Sequence, residues 1–244
     1  MTEFPTEMIS LPSRGKLYPE NSPLRNGVVA LRYMTAKDED ILLNQSYIEK
    51  GIVVDKLLQN LIDDKSINYS ELLIGDKNAL LIAARVLGYG KMYSFDYRGE
   101  RIDIDLSQIP DKPLDPVVES ATENRFTFTL PVRGNVLTFK LLTHADEMAI
   151  EQEIKGLKKL NKDASPELST RMKYMILAVD GKEDKKEIRT FVDTMLAADA
   201  RAFRKYVAKI QPDVDMRFYP EDGPEGGVQI PITPEFLWPD LATE

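Results

Sequence analysis

The motif Leu11-Pro12-Ser13-Arg14-Gly15 returns almost unchanged as Leu130-Pro131-Val132-Arg133-Gly134. A repeat unit carries its whole supersecondary pattern with it, so the residues after each copy should match as well. They do in outline. An apolar run comes next, Val28 to Met34 or Val136 to Leu142. Thr35-Ala36-Lys37-Asp38-Glu39 or Thr143-His144-Ala145-Asp146-Glu147 then opens a helical pattern. Threonine with an acid three residues on resembles a capping box, and acids in a first turn suit the helix dipole. Further along, Asp76 and Asp199 each stand where a second helix begins and are expected to cap it. An aromatic hairpin-like stretch follows each of those helices, Tyr93 to Ile104 and Phe218 to Ile230.

The expected architecture is therefore α+β: two loosely repeated halves, each a strand or hairpin plus several packed helices, with extended Pro-rich terminal arms. Residues 1–26 read as an N-terminal arm, because Pro5, Pro12, Pro19 and Pro23 forbid a helix there. Residues 27–115 form the first half, and Pro110, Pro113 and Pro116 mark the linker that ends it. Residues 116–211 form a second, mainly helical half, and residues 212–244 a hairpin and Pro-rich C-terminal arm. Apolar residues in the arms need burial, on the chain's own domain or on a neighbour. The candidates for such contacts are Phe4, Leu11, Arg14, Leu17 and Tyr18 at one end and Phe236, Leu237 and Trp238 at the other.

Charge and composition narrow the function. With 40 acids against 32 bases the net charge is -8, so attraction to a phosphate backbone does not organise this chain and nucleic acid is not the expected partner. There are no cysteines, which removes disulfides, thiolate nucleophiles and Cys-based zinc sites and suits a reducing cytoplasm. The first residues have neither a basic segment nor an apolar one of the kind a signal peptide needs. The most apolar run, Ala79 to Leu87, is interrupted by Arg85 and is far too short to span a bilayer.

Single residues point to little chemistry. Asn78 to Leu87 is apolar nearly all round and reads as the core helix of the first half, with Arg85 snorkelling to the surface. Asp103 and Asp105 share a strand face, but no further ligands stand at a spacing that would hold a cation. His144, the one histidine, has no nucleophile arranged around it and reads as an incidental surface residue. Lys155, Lys158, Lys159 and Lys162 near a helix end read as a solvated face, with Glu151 one turn before Lys155. Ser165-Pro166-Glu167 is a helix start, and the helix it opens is expected to run through Met172, Met175, Ile176 and Val179 to a stop at Asp180-Gly181.

Taken together, Leu-Pro-Ser-Arg-Gly near the start, the Leu72 to Gly90 block with its Gly75-Asp76 and Tyr89-Gly90, Leu142-Thr143-His144-Ala145-Asp146-Glu147, and the closing Ile230-Pro231 with Phe236-Leu237-Trp238-Pro239 resemble the base plate proteins of T4-like contractile-tailed bacteriophages. The resemblance runs from Leu11 to Pro239 and rests on the order and spacing of these blocks. It implies a non-enzymatic hub subunit of a tail baseplate, assembled in the host bacterial cytoplasm and carried in the virion tail, without cofactor. Its partners would be other baseplate, hub or tape-measure proteins, or further copies of itself. Many members of that family carry paired cysteines in the two hairpins that look like zinc knuckles, and here both hairpins lack them. Loss of residues 1–10 or 233–244 is expected to abolish partner binding and leave the helices intact. Rival readings are a tail or hub assembly chaperone absent from the mature virion, a carboxylate-based hydrolase using a pair such as Asp103 and Asp105, and a nucleic-acid binder using the lysine cluster, which would associate in a strongly salt-dependent way.

Overall fold

Each L-P-x-R-G segment leaves the first strand of an antiparallel pair: Leu130 to Gly134 is nearly the whole turn to Val136, while Leu11 to Gly15 opens the longer connection to Val28. Gly15 and Gly134 both take the left-handed conformation, at φ 73° and 74°. In the first turn the backbone also runs so close that a Cβ on Gly15 would meet the carbonyl of Arg25. The computed structural model describes residues 4–160, 166–220, 223–224, 226–232 and 236–238. The expected cap at Ser165, Lys162 and the remaining residues of both termini lie outside that set.

In chain order the first half comprises β1 (Thr6–Ser10), β2 (Val28–Arg32), α1 (Ala36–Leu42), α2 (Gln45–Lys50), α3 (Val53–Leu61), α4 (Ile74–Tyr89), β3 (Met92–Tyr97) and β4 (Glu100–Asp105). The second comprises α5 (Pro116–Glu119), β5 (Phe126–Thr129), β6 (Val136–Phe139), α6 (His144–Leu160), α7 (Glu167–Met175), β7 (Ile176–Val179), α8 (Lys185–Asp193), α9 (Ala197–Ile210), β8 (Arg217–Phe218) and β9 (Val228–Gln229). All strand pairs among the described residues are antiparallel: β1 with β2, β3 with β4, β5 with β6 and β6 with β7, and β8 with β9. The fold is α+β.

The duplication holds in hydrogen-bond detail. Leu11 N–H donates to Gly27 O at 2.8 Å across the first turn, and Leu130 N–H donates to Asn135 O at 2.9 Å across the second. Thr35 caps α1 and Thr143 opens α6, each giving its N–H and hydroxyl to the aspartate three residues on, Asp38 or Asp146, at 2.8 to 3.0 Å. That aspartate also holds a cation from the end of the preceding strand. Arg32 grips Asp38 with both guanidinium nitrogens at 2.7 Å, and Lys140 reaches Asp146 at 2.8 Å. Burial pushes the Asp38 carboxyl up, but Arg32 and Thr35 outweigh it and hold it at about 2. Leu31 bridges Ile62 just past α3, and Phe139 pairs with Ile176 just past α7. So α1 corresponds to α6, α3 to α7, α4 to α9, and the hairpin β3–β4 to β8–β9.

Burial follows the expected patterns. Val29 and Leu31 alternate inward on β2, and Leu57, Leu58 and Leu61 line the buried stripe of α3. Leu80, Ile82 and Ala84 of α4 are buried too, and in the second half Phe139 meets Phe203 edge-on at 5.0 Å. One apolar cluster runs through both halves. That cluster includes residues on both sides of the boundary expected near residue 115, so the two halves do not have separate cores.

Several expectations change. Ile176 to Val179 is a strand, because its alternating Ile176 and Ala178 complete the sheet on β6. Arg85 does not snorkel. It is buried and gives its guanidinium to the carbonyls of Gly90 at 2.6 Å and Met92 at 3.0 Å, closing the C-terminus of its own helix. Nor are the described ends free arms. β1 is zipped onto β2, and the C-terminal segment lies back across the first half, where Tyr93 O–H donates to Pro231 O at 2.7 Å and its ring meets Phe236 at 5.1 Å.

Candidate functional site

The two halves meet along a short backbone seam. Leu73, at the N-terminus of α4, pairs with Thr143, at the N-terminus of α6. Ile74 N–H donates to Leu142 O at 3.3 Å and His144 N–H to Leu72 O at 2.8 Å. Helix first-turn amides have no partner within their own helix, so each half supplies acceptors for the other.

Two buried polar clusters lie beneath this seam. In the first, Asp76 accepts from Ser13 N–H at 2.9 Å, Ser13 O–H at 2.6 Å and Tyr18 O–H at 2.6 Å. Tyr18 in turn accepts Leu73 N–H at 2.9 Å, so its oxygen is used both ways. Burial pushes the Asp76 carboxyl up despite these donors, and burial together with the neighbouring Asp76 pushes the Tyr18 phenol well up. Asp199 takes the matching role in the second half, accepting Val132 N–H at 2.8 Å and Arg133 N–H at 3.2 Å. Both aspartates were expected as helix caps. They stand inside the first turn and clamp the repeated L-P-x-R-G turn instead.

In the second cluster, Asp55 of α3 lies 2.5 Å from Lys77 Nζ, accepts Tyr69 O–H at 2.9 Å and lies 3.7 Å from His144 Nε2. The Lys77 ammonium, which can only donate, is 3.4 Å from His144 Nδ1, so the ring proton belongs on Nε2, toward Asp55. His144 is 6% exposed and stands edge-on to the Tyr69 ring at 4.7 Å, which corrects its reading as a surface residue. Burial lowers its pKa, against the pull of Asp55, and keeps the imidazole neutral. Burial, with Asp55 adding to it, raises the Tyr69 phenol far out of its ordinary range. A catalytic imidazole needs a substrate within hydrogen-bond reach. Here the partners of His144 are the chain's own Asp55, Lys77 and Tyr69, and the cluster acts as a polar joint between α3, α4 and α6.

Of the contact candidates, Leu11, Leu17, Tyr18, Phe236 and Leu237 are buried in the chain's own core. They are corrected to fold-holding residues, since a side chain already packed inside has no surface to offer. Trp238 is half-buried and donates Nε1–H to Leu42 O at 3.2 Å. Phe4 is 52% exposed, under the Arg32 guanidinium, and Arg14 is exposed 3.8 Å from Glu119. Asp103 accepts Ser94 O–H at 2.6 Å, while Asp105 pairs with Lys91 at 2.8 Å, which with Ser107 lowers its carboxyl pKa.

Reading the sequence missed Asp55, Tyr69 and Lys77. Asp55 did leave a signal, an acid in register with Leu58 and Ile62 on an otherwise apolar stripe. Among the described residues no group of three or more His, Cys, Asp or Glu side chains is placed to hold a metal ion, and no helix is long and apolar enough to cross a membrane.

The fold and its seam define an α+β protein built from two pseudo-equivalent halves on a shared core. No family model matches the chain, and no curated protein or solved structure matches it at a significant level.

Proposed function

We propose that this chain is a structural or assembly component of a contractile phage tail baseplate, a hub-type subunit that works through protein–protein contacts. One observation supports the reading more than any other. The blocks that resemble the T4-like base plate family, Leu11 to Gly15, Gly75-Asp76 and Leu142 to Glu147, are the residues that form the turn clamp and the seam. What the resemblance tracks is therefore scaffold geometry, which suits a subunit whose task is to hold shape.

The contact surfaces differ from those expected, because most apolar residues of the termini are inside. Exposed apolar side chains are instead spread over both halves, among them Met8, Leu43, Val132 and Leu196. Quantitative mass spectrometry of purified tails beside tail-assembly intermediates tests the proposal. Presence in finished tails at a fixed ratio to the other hub proteins is the expected result. Presence in intermediates alone would make the protein an assembly chaperone, and absence from both would discard the baseplate reading.

A further inference from the structure

The duplication makes the two halves comparable position by position, and at one place they differ. In the first half the helix start Leu72, Leu73 and Gly75 is buried under the Leu142–His144 corner and Pro212, and the turn Pro12, Ser13 and Gly15 is buried with Arg25 and Gly27 of its own connection against Gly15. Their counterparts in the second half are bare. Pro131, Val132, Arg133 and Gly134 are all exposed, as are Leu196, Ala197 and Ala198 at the start of α9. Leu196 is 43% exposed where Leu73 is 4%, and Val132 beside it is 60% exposed. The chain thus carries a second copy of the seat on which its own second half rests, exposed among the described residues.

It also carries a second copy of the segment that fits that seat. Met34, Thr35 and Ala36 stand at the strand-to-helix corner equivalent to Leu142, Thr143 and His144, with the same Thr–Asp box and the same cation behind it. Among the described residues the backbone of this corner pairs with no other segment, and Met34 lies against Gly88 of α4. Ala36 N–H and Ala197 N–H meet no acceptor among the described residues, whereas the matching His144 and Ile74 amides complete the seam.

We infer that Leu196 of one molecule pairs with Thr35 of a second copy of this chain, repeating between molecules the bridge that Leu73 makes with Thr143 within one. Charge favours this occupant. Arg133 in the turn and Arg201 in the second turn of α9 are exposed at the seat, while Glu39 and Asp40 outnumber Lys37 on the exposed side of the corner. Seat and corner lie on different surfaces. The contact is therefore heterologous, and it propagates head to tail into a closed ring or an open row.

The absence of cysteine from the chain makes the test clean. In the internal seam Leu73 and Thr143 form a non-hydrogen-bonded antiparallel pair, the geometry that brings Cβ atoms closest. Full-length Thr35→Cys and Leu196→Cys proteins are purified separately and mixed under mild oxidation. The expected result is a covalent dimer in the mixture and little in either protein alone, and the double variant should form a ladder of higher species. Arg201→Glu on the Leu196→Cys chain should reduce the dimer yield several-fold, and Asp40→Lys on the partner should restore it. Thermal melting of each variant confirms that it folds. A mixture that cross-links no better than a Thr35→Cys and Gly156→Cys control would overturn the inference, as would efficient dimerisation of Leu196→Cys alone. Either failure leaves the baseplate proposal standing, because that rests on tail composition.

Discussion

Asp76 and Asp199 occupy the same station in the two halves: each, in the first turn of its helix, reaches across to the third residue of an L-P-x-R-G turn and accepts its N–H, Ser13 at 2.9 Å and Val132 at 2.8 Å. The two clamps differ in what surrounds them. Asp76 also holds two hydroxyls under the seam, while the turn that Asp199 holds is open to water. A buried donor that loses its acceptor costs more than an exposed one that can turn to solvent. Asp76→Ala should therefore destabilise by roughly 3 kcal/mol and Asp199→Ala by about 1 kcal/mol. Urea denaturation of the two variants beside wild type gives the comparison, and equal losses would mean that the hydroxyl contacts add nothing.

Gly75 fixes how closely the halves approach. A Cβ at this position would lie 1.9 Å from Pro212 O, a backbone atom that cannot swing aside. Gly75→Ala should thus cost several kcal/mol, since relieving the overlap moves the chain just past α9 off the start of α4 and strains the Asn78 to Asp213 hydrogen bond. Gly156, within α6, has nothing within 4 Å of its Cβ position. There the same substitution should raise stability by about 1 kcal/mol through helix propensity alone. Opposite signs in one melting experiment are the expected outcome.

How much of this was legible in the sequence depends on how far apart the interacting residues lie. The Thr–Asp boxes at Thr35 and Thr143 and the hairpin of Tyr93 to Ile104 are local, and they fold as their spacing says. The repeat told that two halves exist. It did not tell that Asp76 would bind Ser13 across 63 residues, because nothing near Asp76 distinguishes a clamp from a cap. Ile176 to Val179 is apolar at a length where strand and helix cannot be told apart by period, and the free edge of β6 decides. His144 and Arg85 were placed wrongly for different reasons: Arg85 turns to carbonyls just past its own helix, Gly90 and Met92, and not to water. Whether a polar side chain is buried depends on what another part of the chain lays over it, and His144 is covered only because Thr143 joins the seam. Among the described first residues no α-helix forms, though Pro23 opens a short 3-10 helix over Pro23–Asn26, and proline content could not say that Leu11, Leu17 and Tyr18 turn inward.

His144 predicts a pH dependence. Its folded-state pKa lies below the ordinary 6.5, chiefly through burial and in part through Lys77, while Asp55, Glu147 and Glu151 pull the other way. Below 6.5 the unfolded chain then binds more protons at this site than the folded one, so stability rises with pH. The contribution of the neutral imidazole is complete above 6.5 and is lost as the pH falls through the folded-state value. The stability advantage of wild type over His144→Gln should accordingly shrink from pH 7.5 to pH 5.5, buffer values chosen to bracket roughly the histidine range. Urea midpoints at the two pH values measure it. An advantage that grows toward acid would show instead that a protonated His144 is held by Asp55 in the folded chain.

Phe236 tests whether the C-terminal segment is an arm or part of the core. Its side chain is fully buried against the Tyr93 ring, Leu237 is buried beside it, and Trp238 reaches Leu42 O near the end of α1. A free arm could be trimmed without effect on the fold. A residue packed in the shared core cannot, and Phe236→Ala should cost about 3 to 5 kcal/mol. Removing residues 233–244 takes all three aromatic and aliphatic contacts together and should lower the melting temperature further than the single substitution. Circular dichroism melts of both variants read this directly. Unchanged melting of the truncated chain would return the segment to the role of a docking arm, whereas a large loss means that any binding defect on truncation reports unfolding first.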